Sequence, residues 1–313
     1  MDAHVLLTGA TGYIGGRLLR RFEARDRAVR CLVREPNRLS MTASTTDVVR
    51  GDCLDAASLD RALAGVQAAY YLVHSMGAGA DFSDTDRRAA ETFGQAAARA
   101  GVRRIIYLGG LTGASGSLSP HLKSRMETGE VLRAGGVPVI EFRAAVVIGA
   151  GSLSFKIIEA LVERLPVMIC PRWVATPTQP IAIDDVLAFL ETALDLPDDV
   201  RGIFEIGGPD VVSYGDMMRI YARLRGLHRV LLPVPVLTPF FSGLWLTLFT
   251  PAQARVGRAL IEGLRTATVV RSTAARDTFR MEPMSIHTAF IKAIEEAAHM
   301  APTPKRAPAG KVA

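Results

Sequence analysis

The chain has 313 residues, 49% of them apolar and 22% charged, a balance that excludes a disordered or fibrous protein and suits one large or two unequal globular domains. Its net charge of +6 is spread without a basic run and aromatic residues make up only 6%, so no nucleic-acid-binding stripe is expected. Cys31, Cys53 and Cys170 are far apart and form no C-x-x-C pair, which argues against a disulfide framework or a cysteine zinc site and for a reducing, cytoplasmic setting.

In chain order, residues 4–8 are an apolar run of strand length, and Gly9-Ala10-Thr11-Gly12-Tyr13-Ile14-Gly15 follows at once. Residues 16–25 then show helical periodicity, with Leu18, Leu19 and Phe22 inward and Arg17, Arg20, Arg21 and Arg25 outward. A strand that begins by about residue 3 leaves no room for an expected signal peptide. Strand, glycine-rich turn and helix form the context of a dinucleotide-binding motif. Gly9, Thr11, Gly12, Tyr13, Ile14 and Gly15 are therefore the expected diphosphate cradle, acting through main-chain N–H groups at a helix start.

Further strands are expected at residues 28–33, 47–50, 68–73, 104–108 and 137–142, with helices at 56–64, 85–100 and 122–134. This alternation predicts an α/β fold, a Rossmann-type doubly wound parallel sheet with helices on both faces. One sheet edge would then collect the glycine turn, Arg34, Asp52, His74-Ser75-Met76 and Gly109-Gly110-Leu111. NAD-binding units place a carboxylate about twenty residues beyond the glycines, on the ribose 2′-hydroxyl. Here Arg34 stands nineteen residues past Gly15, with Arg38 one turn on. Guanidinium groups chelate a 2′-phosphate, so NADP(H) is expected over NAD(H), with two merely solvated arginines as the alternative. Asp52 and Cys53 follow the third strand; Asp52 reads either as an acceptor for the adenine amino group or as a plain turn residue, and Asp55 as a helix cap. His74 lies where a nicotinamide ribose would pass, or is a satisfied loop histidine.

After Gly149 the alternation loosens. Residues 1–150 are read as the NAD(P)-binding domain, 151–300 as a smaller, partly interleaved domain covering the substrate, and 301–313 as a disordered tail. In the second region helices are expected at 155–164, 185–194, 214–224 and 285–299, and strands at 179–183 and 203–206. Asp184-Asp185 fits a helix cap better than general acid chemistry. Residues 230–251 are strongly apolar, but prolines leave only eleven uninterrupted positions before Pro251, short of the ~20 needed to span a membrane. A buried helix is the first reading; a wall for an apolar substrate, a subunit contact or a peripheral membrane contact through 240–249 are the others. Six histidines show no metal-ligand spacing, and no metal is expected.

Taken together, Thr8–Gly15, Gly51-Asp52, Arg143-x5-Gly149, Ile181-x-Ile-x-Asp185-Val186 and Gly207-Gly208-Pro209 resemble the short-chain dehydrogenase/reductase superfamily. The likeness is greatest to its extended and atypical, epimerase-like and NmrA-like branch, over about residues 3 to 295. The resemblance implies a Rossmann domain, a smaller C-terminal domain and a nicotinamide cofactor. It also implies a Tyr-x-x-x-Lys pair, which this chain lacks: alignment on Glu127-x-x-Glu130 puts His121 at the Tyr place and Arg125 at the Lys place. Gly109-Gly110-Leu111-Thr112 replaces the implied serine. Arg125 is then a candidate ribose or phosphate ligand, permanently charged. His121 and Lys123 are the candidate acid–base groups, ahead of Lys156 and Tyr214. The expected activity is reduction of a carbonyl or activated alkene of a small apolar molecule. The alternative is a non-catalytic NADP(H)-binding scaffold or redox sensor. Oligomeric state is not legible.

Overall fold

Val5 and Leu7 pack into one apolar cluster and Leu6 into another, so the first strand is buried on both faces. Two-sided burial belongs to a parallel sheet covered by helices. The computed structural model, which describes residues 5–39, 42–74, 82–113, 119–234 and 266–300, has that architecture. The first half contains β1 (Val5–Thr8), α1 (Tyr13–Glu23), β2 (Val29–Val33), β3 (Thr46–Arg50), α2 (Ala56–Leu63), β4 (Ala68–Tyr71), α3 (Phe82–Arg99), β5 (Arg104–Gly110), α4 (Pro120–Ala134) and β6 (Val139–Ala144). The second half contains β7 (Val147–Ile148), α5 (Leu153–Arg164), β8 (Val167–Cys170), β9 (Pro177–Thr178), β10 (Ile181–Ala182), α6 (Ile183–Asp195) and β11 (Gly202–Ile206). It continues with β12 (Val212–Ser213), α7 (Tyr214–Leu224), β13 (Val230–Pro233), α8 (Ala274–Phe279) and α9 (Ile286–Met300).

Seven strands form one sheet in the order β11-β6-β5-β4-β1-β2-β3, with every neighbouring pair parallel. Helices α2, α3 and α4 cover one face, where Leu59, Leu63, Phe93 and Leu132 meet Leu6 and Ile105. Helices α1 and α6 cover the other, where Leu18, Phe22 and Phe189 meet Leu7, Ile106 and Phe142. Burying each of these side chains contributes about 1.5–3 kcal/mol, which is why the period-two alternation fixes the register. A third cluster, with Phe155, Trp173, Tyr221 and Phe290, joins α5, α7 and α9 away from the sheet.

The chain returns to the first sheet after residue 150: β11 pairs with β6 and α6 packs on α1. Of the arginines expected to face solvent on α1, Arg20 does so, whereas Arg17, Arg21 and Arg25 reach residues of the second half, Arg25 pairing with Glu191. Arg21 pairs with Asp184 at 2.9 Å and Glu191 at 3.0 Å, and Arg17 donates to the Ala150 carbonyl and pairs with Glu296, both at 2.7 Å. The strand expected at 179–183 shortens to β10 because Ile183 already opens α6. Asp184 and Asp185 consequently do not cap that helix. Ala182 is its N-cap, and the carboxylates sit in the first turn, Asp185 accepting the Met284 N–H at 2.9 Å. Strands β8 and β13 and helix α8 were not expected from the pattern. Among the described residues no helix is long and apolar enough to cross a membrane; residues 235–251 and 301–313 lie outside them.

Candidate active site

Strand order reverses between β1 and β4, and dinucleotides bind at the carboxyl ends of such a switch point. The Thr8 hydroxyl ties the two strands there, donating to the Tyr70 carbonyl at 2.8 Å and accepting the Leu72 N–H at 3.2 Å. The chain then turns at Gly9, whose φ of +76° favours glycine and where an added Cβ would strike the Leu72 carbonyl. Gly12 N–H closes the turn on the Gly9 carbonyl at 2.9 Å. Gly15 is buried under it, and a Cβ there would strike the same carbonyl. Helices α2, α4, α5 and α7 are capped by Asp55, Ser119, Ser152 and Ser213. Helix α1 begins at Gly12 with no side-chain cap and no acidic residue in its first turn. Its open amides therefore suit an anion such as a diphosphate.

A cavity of about 280 Å³ opens beside this turn, lined by Thr8, Gly9 and Thr11, by Arg34, Asp52 and Cys53, and by His74 and Asp86. Arg34 is exposed at its rim and makes no ion pair or hydrogen bond to another described residue. Arg38, in the 3₁₀ turn Pro36–Arg38, is exposed and does not line the cavity. The Asp52 carboxylate accepts the Leu54 N–H at 2.9 Å, and Asp55 caps α2 through the Ala57 N–H at 3.1 Å. Cys53 is buried, and its thiol is pushed up to about 12, by desolvation first and the Asp52 charge second. The side chains of Tyr13 and Ile14 turn away from the cavity. The Arg17 guanidinium lies 5.0 Å from the Tyr13 ring, the Tyr13 hydroxyl lies against Gly149, and Ile14 packs on the core. Only their main-chain groups stay at the turn.

His74 lines the cavity and meets His121, 47 residues away in sequence, which like Arg125 does not line it. His74 Nε2 lies 3.0 Å from His121 Nδ1, and His74 Nδ1 lies 2.8 Å from Asp86 Oδ2. The Ser124 hydroxyl donates to the same Asp86 oxygen at 3.2 Å. Burial, then Arg125, then His74 push His121 down to about 3. Burial also lowers His74, against the hydrogen bond to Asp86. Both rings are thus neutral at neutral pH. A carboxylate only accepts, so the network assigns the His74 proton to Nδ1; His74 Nε2 then accepts from His121 Nδ1–H and leaves His121 Nε2 bare. Asp86 escaped the sequence reading. Its signal was position: a carboxylate in register with Ala90 and Phe93 on the buried stripe of α3.

Arg125 donates to the Leu108 carbonyl near the end of β5, and its Nε is buried with no partner among the described residues. Gly110 makes the room: an added Cβ would lie 2.8 Å from Leu122 Cδ2 and 3.6 Å from the Arg125 side chain. Lys123 stands on the outer face of α4, 68% exposed and 3.8 Å from Glu127. Lys156 on α5 and Tyr214 on α7 also lie outside the lining of the cavity.

Residues 9–137 match a family model described as NAD(P)H-binding. A nucleoside-diphosphate-sugar epimerase from Staphylococcus aureus superposes with a TM-score of 0.73 at 16% identity, covering 92% of this chain and 99% of that one. Residues 9–137 are thus similar to NAD(P)H-binding domains, and the chain shares the fold of that epimerase. The same fold is that of the Bordetella bronchiseptica enzyme WbmG, solved in complex with NAD and UDP (TM-score 0.74, 14% identity, covering 96% of this chain and 95% of WbmG). In sequence the chain is 28% identical, over 230 residues, to (4-alkanoyl-5-oxo-2,5-dihydrofuran-3-yl)methyl phosphate reductase of Streptomyces griseus, covering 71% of this chain and 74% of that enzyme.

Proposed function

We propose that this chain is a short-chain dehydrogenase/reductase of the atypical, epimerase-like branch, acting as an NADP(H)-dependent reductase of a small apolar molecule bearing a carbonyl or a carbonyl-activated alkene. The observation that carries the reading is a cavity lined by an uncapped glycine turn and by His74, which is half-buried and hydrogen-bonded to the half-buried His121 beyond the lining. When bound, the reduced nicotinamide supplies hydride; the chain must bind, orient and exchange a proton. The amides of Gly9, Thr11, Gly12, Tyr13, Ile14 and Gly15 hold the diphosphate. Arg34 takes the 2′-phosphate, with Arg38 behind it, and Asp52 and Cys53 border the adenine. His74 and Arg125 border the nicotinamide half. His121 stands in for the missing tyrosine as the group that exchanges a proton with substrate. The Streptomyces griseus relative supports the conjugated-carbonyl part of that substrate class, since its named compound carries a ring double bond conjugated with carbonyl groups, beside a phosphate.

The test is NADPH oxidation against a panel of enones, unsaturated lactones and simple carbonyl compounds, with NADPH affinity measured separately. Turnover of a conjugated carbonyl that falls in His121→Ala more than in Lys123→Ala, at retained NADPH affinity, supports the proposal. NADPH binding with no turnover across the panel overturns it in favour of a binding scaffold or redox sensor.

A further inference from the structure

We propose that Asp86, His74 and His121 form a proton relay, in which His121 exchanges the proton with substrate and His74 carries the compensating charge beside Asp86. The inference rests on the reductase reading above. It makes His74 and Asp86 positioning residues that act through His121. The charged groups facing the pair are Asp86 from α3 and Arg125 from α4. Arg125 and burial both oppose a positive charge on His121. The same charge moved one ring inward sits 2.8 Å from a carboxylate. A lone histidine at residue 121 would be a poor acid–base group, and a coupled one need never be the charged member of the pair.

At rest, His74 Nδ1–H donates to Asp86, His121 Nδ1–H donates to His74 Nε2, and His121 Nε2 carries a free lone pair. A proton from solvent bonds to His121 Nε2, and the proton on His121 Nδ1 crosses to His74 Nε2, over the 3.0 Å that separates the two nitrogens. His121 is again neutral, now protonated at Nε2, and His74 is an imidazolium between Asp86 and His121. Delivery is the reverse: the Nε2–H bond of His121 breaks as the proton joins the substrate anion, and the proton on His74 Nε2 returns to His121 Nδ1. One proton enters and one leaves, and no electrons pass through the relay. Ser124, holding Asp86 at 3.2 Å, and Ser119, capping the start of α4, keep the three groups in line.

Histidine-ring nitrogen–proton NMR of the full-length, cofactor-free protein through an acid titration tests this, with His121→Gln used to assign the signals. Both rings are expected as Nδ1–H tautomers at neutral pH. On acidification a single step should convert His74 to imidazolium and, together with it, His121 to the Nε2–H tautomer. Asp86→Asn should move that step down by roughly one to three pH units. Because the wild-type titration stands alone, a misfolded variant does not remove the test. The relay is overturned if His121 titrates by itself, or stays Nδ1–H while His74 titrates. Reductase turnover with independent histidines removes the relay alone; a coupled step with no turnover on any compound removes the reductase reading and leaves the coupling.

Discussion

Arg34 projects from the end of β2 at the cavity rim with no partner among the described residues. A hydrogen bond to a charged group contributes about 1.5–3 kcal/mol, and 1.4 kcal/mol is about a factor of ten in affinity. Arg34→Ala is therefore expected to weaken NADPH about 10- to 100-fold and to change NADH far less, as read by fluorescence titration; equal losses would refute the phosphate role. His121→Gln keeps a polar side chain but cannot titrate. General acid–base catalysis contributes roughly 10²- to 10⁴-fold, so turnover should fall by that order while the dissociation constant for NADPH holds. A parallel loss of affinity would mean that His121 binds cofactor and moves no proton.

At the scale of elements, α4 matters most because its first turns carry His121 and Arg125. Its cap is Ser119, whose hydroxyl accepts the Leu122 N–H at 3.3 Å. Helix α7, in the distant third cluster, starts from Ser213 in a reciprocal capping box with Asp216. Losing either cap costs about 1 kcal/mol. Ser119→Ala and Ser213→Ala should thus lower thermal stability similarly. Only Ser119→Ala should also lower turnover, because fraying there displaces His121; equal effects on turnover would sever α4 positioning from catalysis. The same contrast explains what was legible in the sequence. The glycine turn, the Arg34 position and the Asp55 cap depend on a few consecutive residues, so spacing reveals them. The histidine pair comes from a loop after β4 and the start of α4, and Asp86 from α3. Spacing marks each histidine singly and says nothing of their contact. The short paired strands β8 and β13 were hidden for a related reason. Their partners are distant in sequence, and Val167, Val230 and Leu232 remain exposed, so no alternation marks them.

For the whole molecule, the half-buried histidine pair implies a pH dependence of stability whose sign can be worked out. His121 is held at about 3 and His74 below its ordinary value, whereas in the unfolded chain both titrate near ~6.5. Between those limits the unfolded state binds more protons, so stability rises with pH and is lost as pH falls below ~6.5. Carboxylates add to acid sensitivity only lower down. Asp216, held below the usual range chiefly by the Ser213 hydroxyl, loses its contribution below an unfolded value of about 3.9. The interval from pH 7 to pH 5 therefore isolates histidine. Each group contributes up to about 1.4 kcal/mol per pH unit there, and the pair behaves as one group for its first proton if the charge is shared through His74. Urea unfolding of the wild type should lose roughly 1–2 kcal/mol more between pH 7 and pH 5 than the double variant His74→Gln/His121→Gln. Charge pairs elsewhere, such as Arg21 with Asp184 and Glu191, are common to both proteins, as is the net charge of the remaining surface, so the difference reports the pair alone. Equal losses in the two proteins would mean that the histidines titrate in the folded state as they do in the unfolded chain, and a larger loss in the double variant would mean that they are charged in the folded state at pH 7.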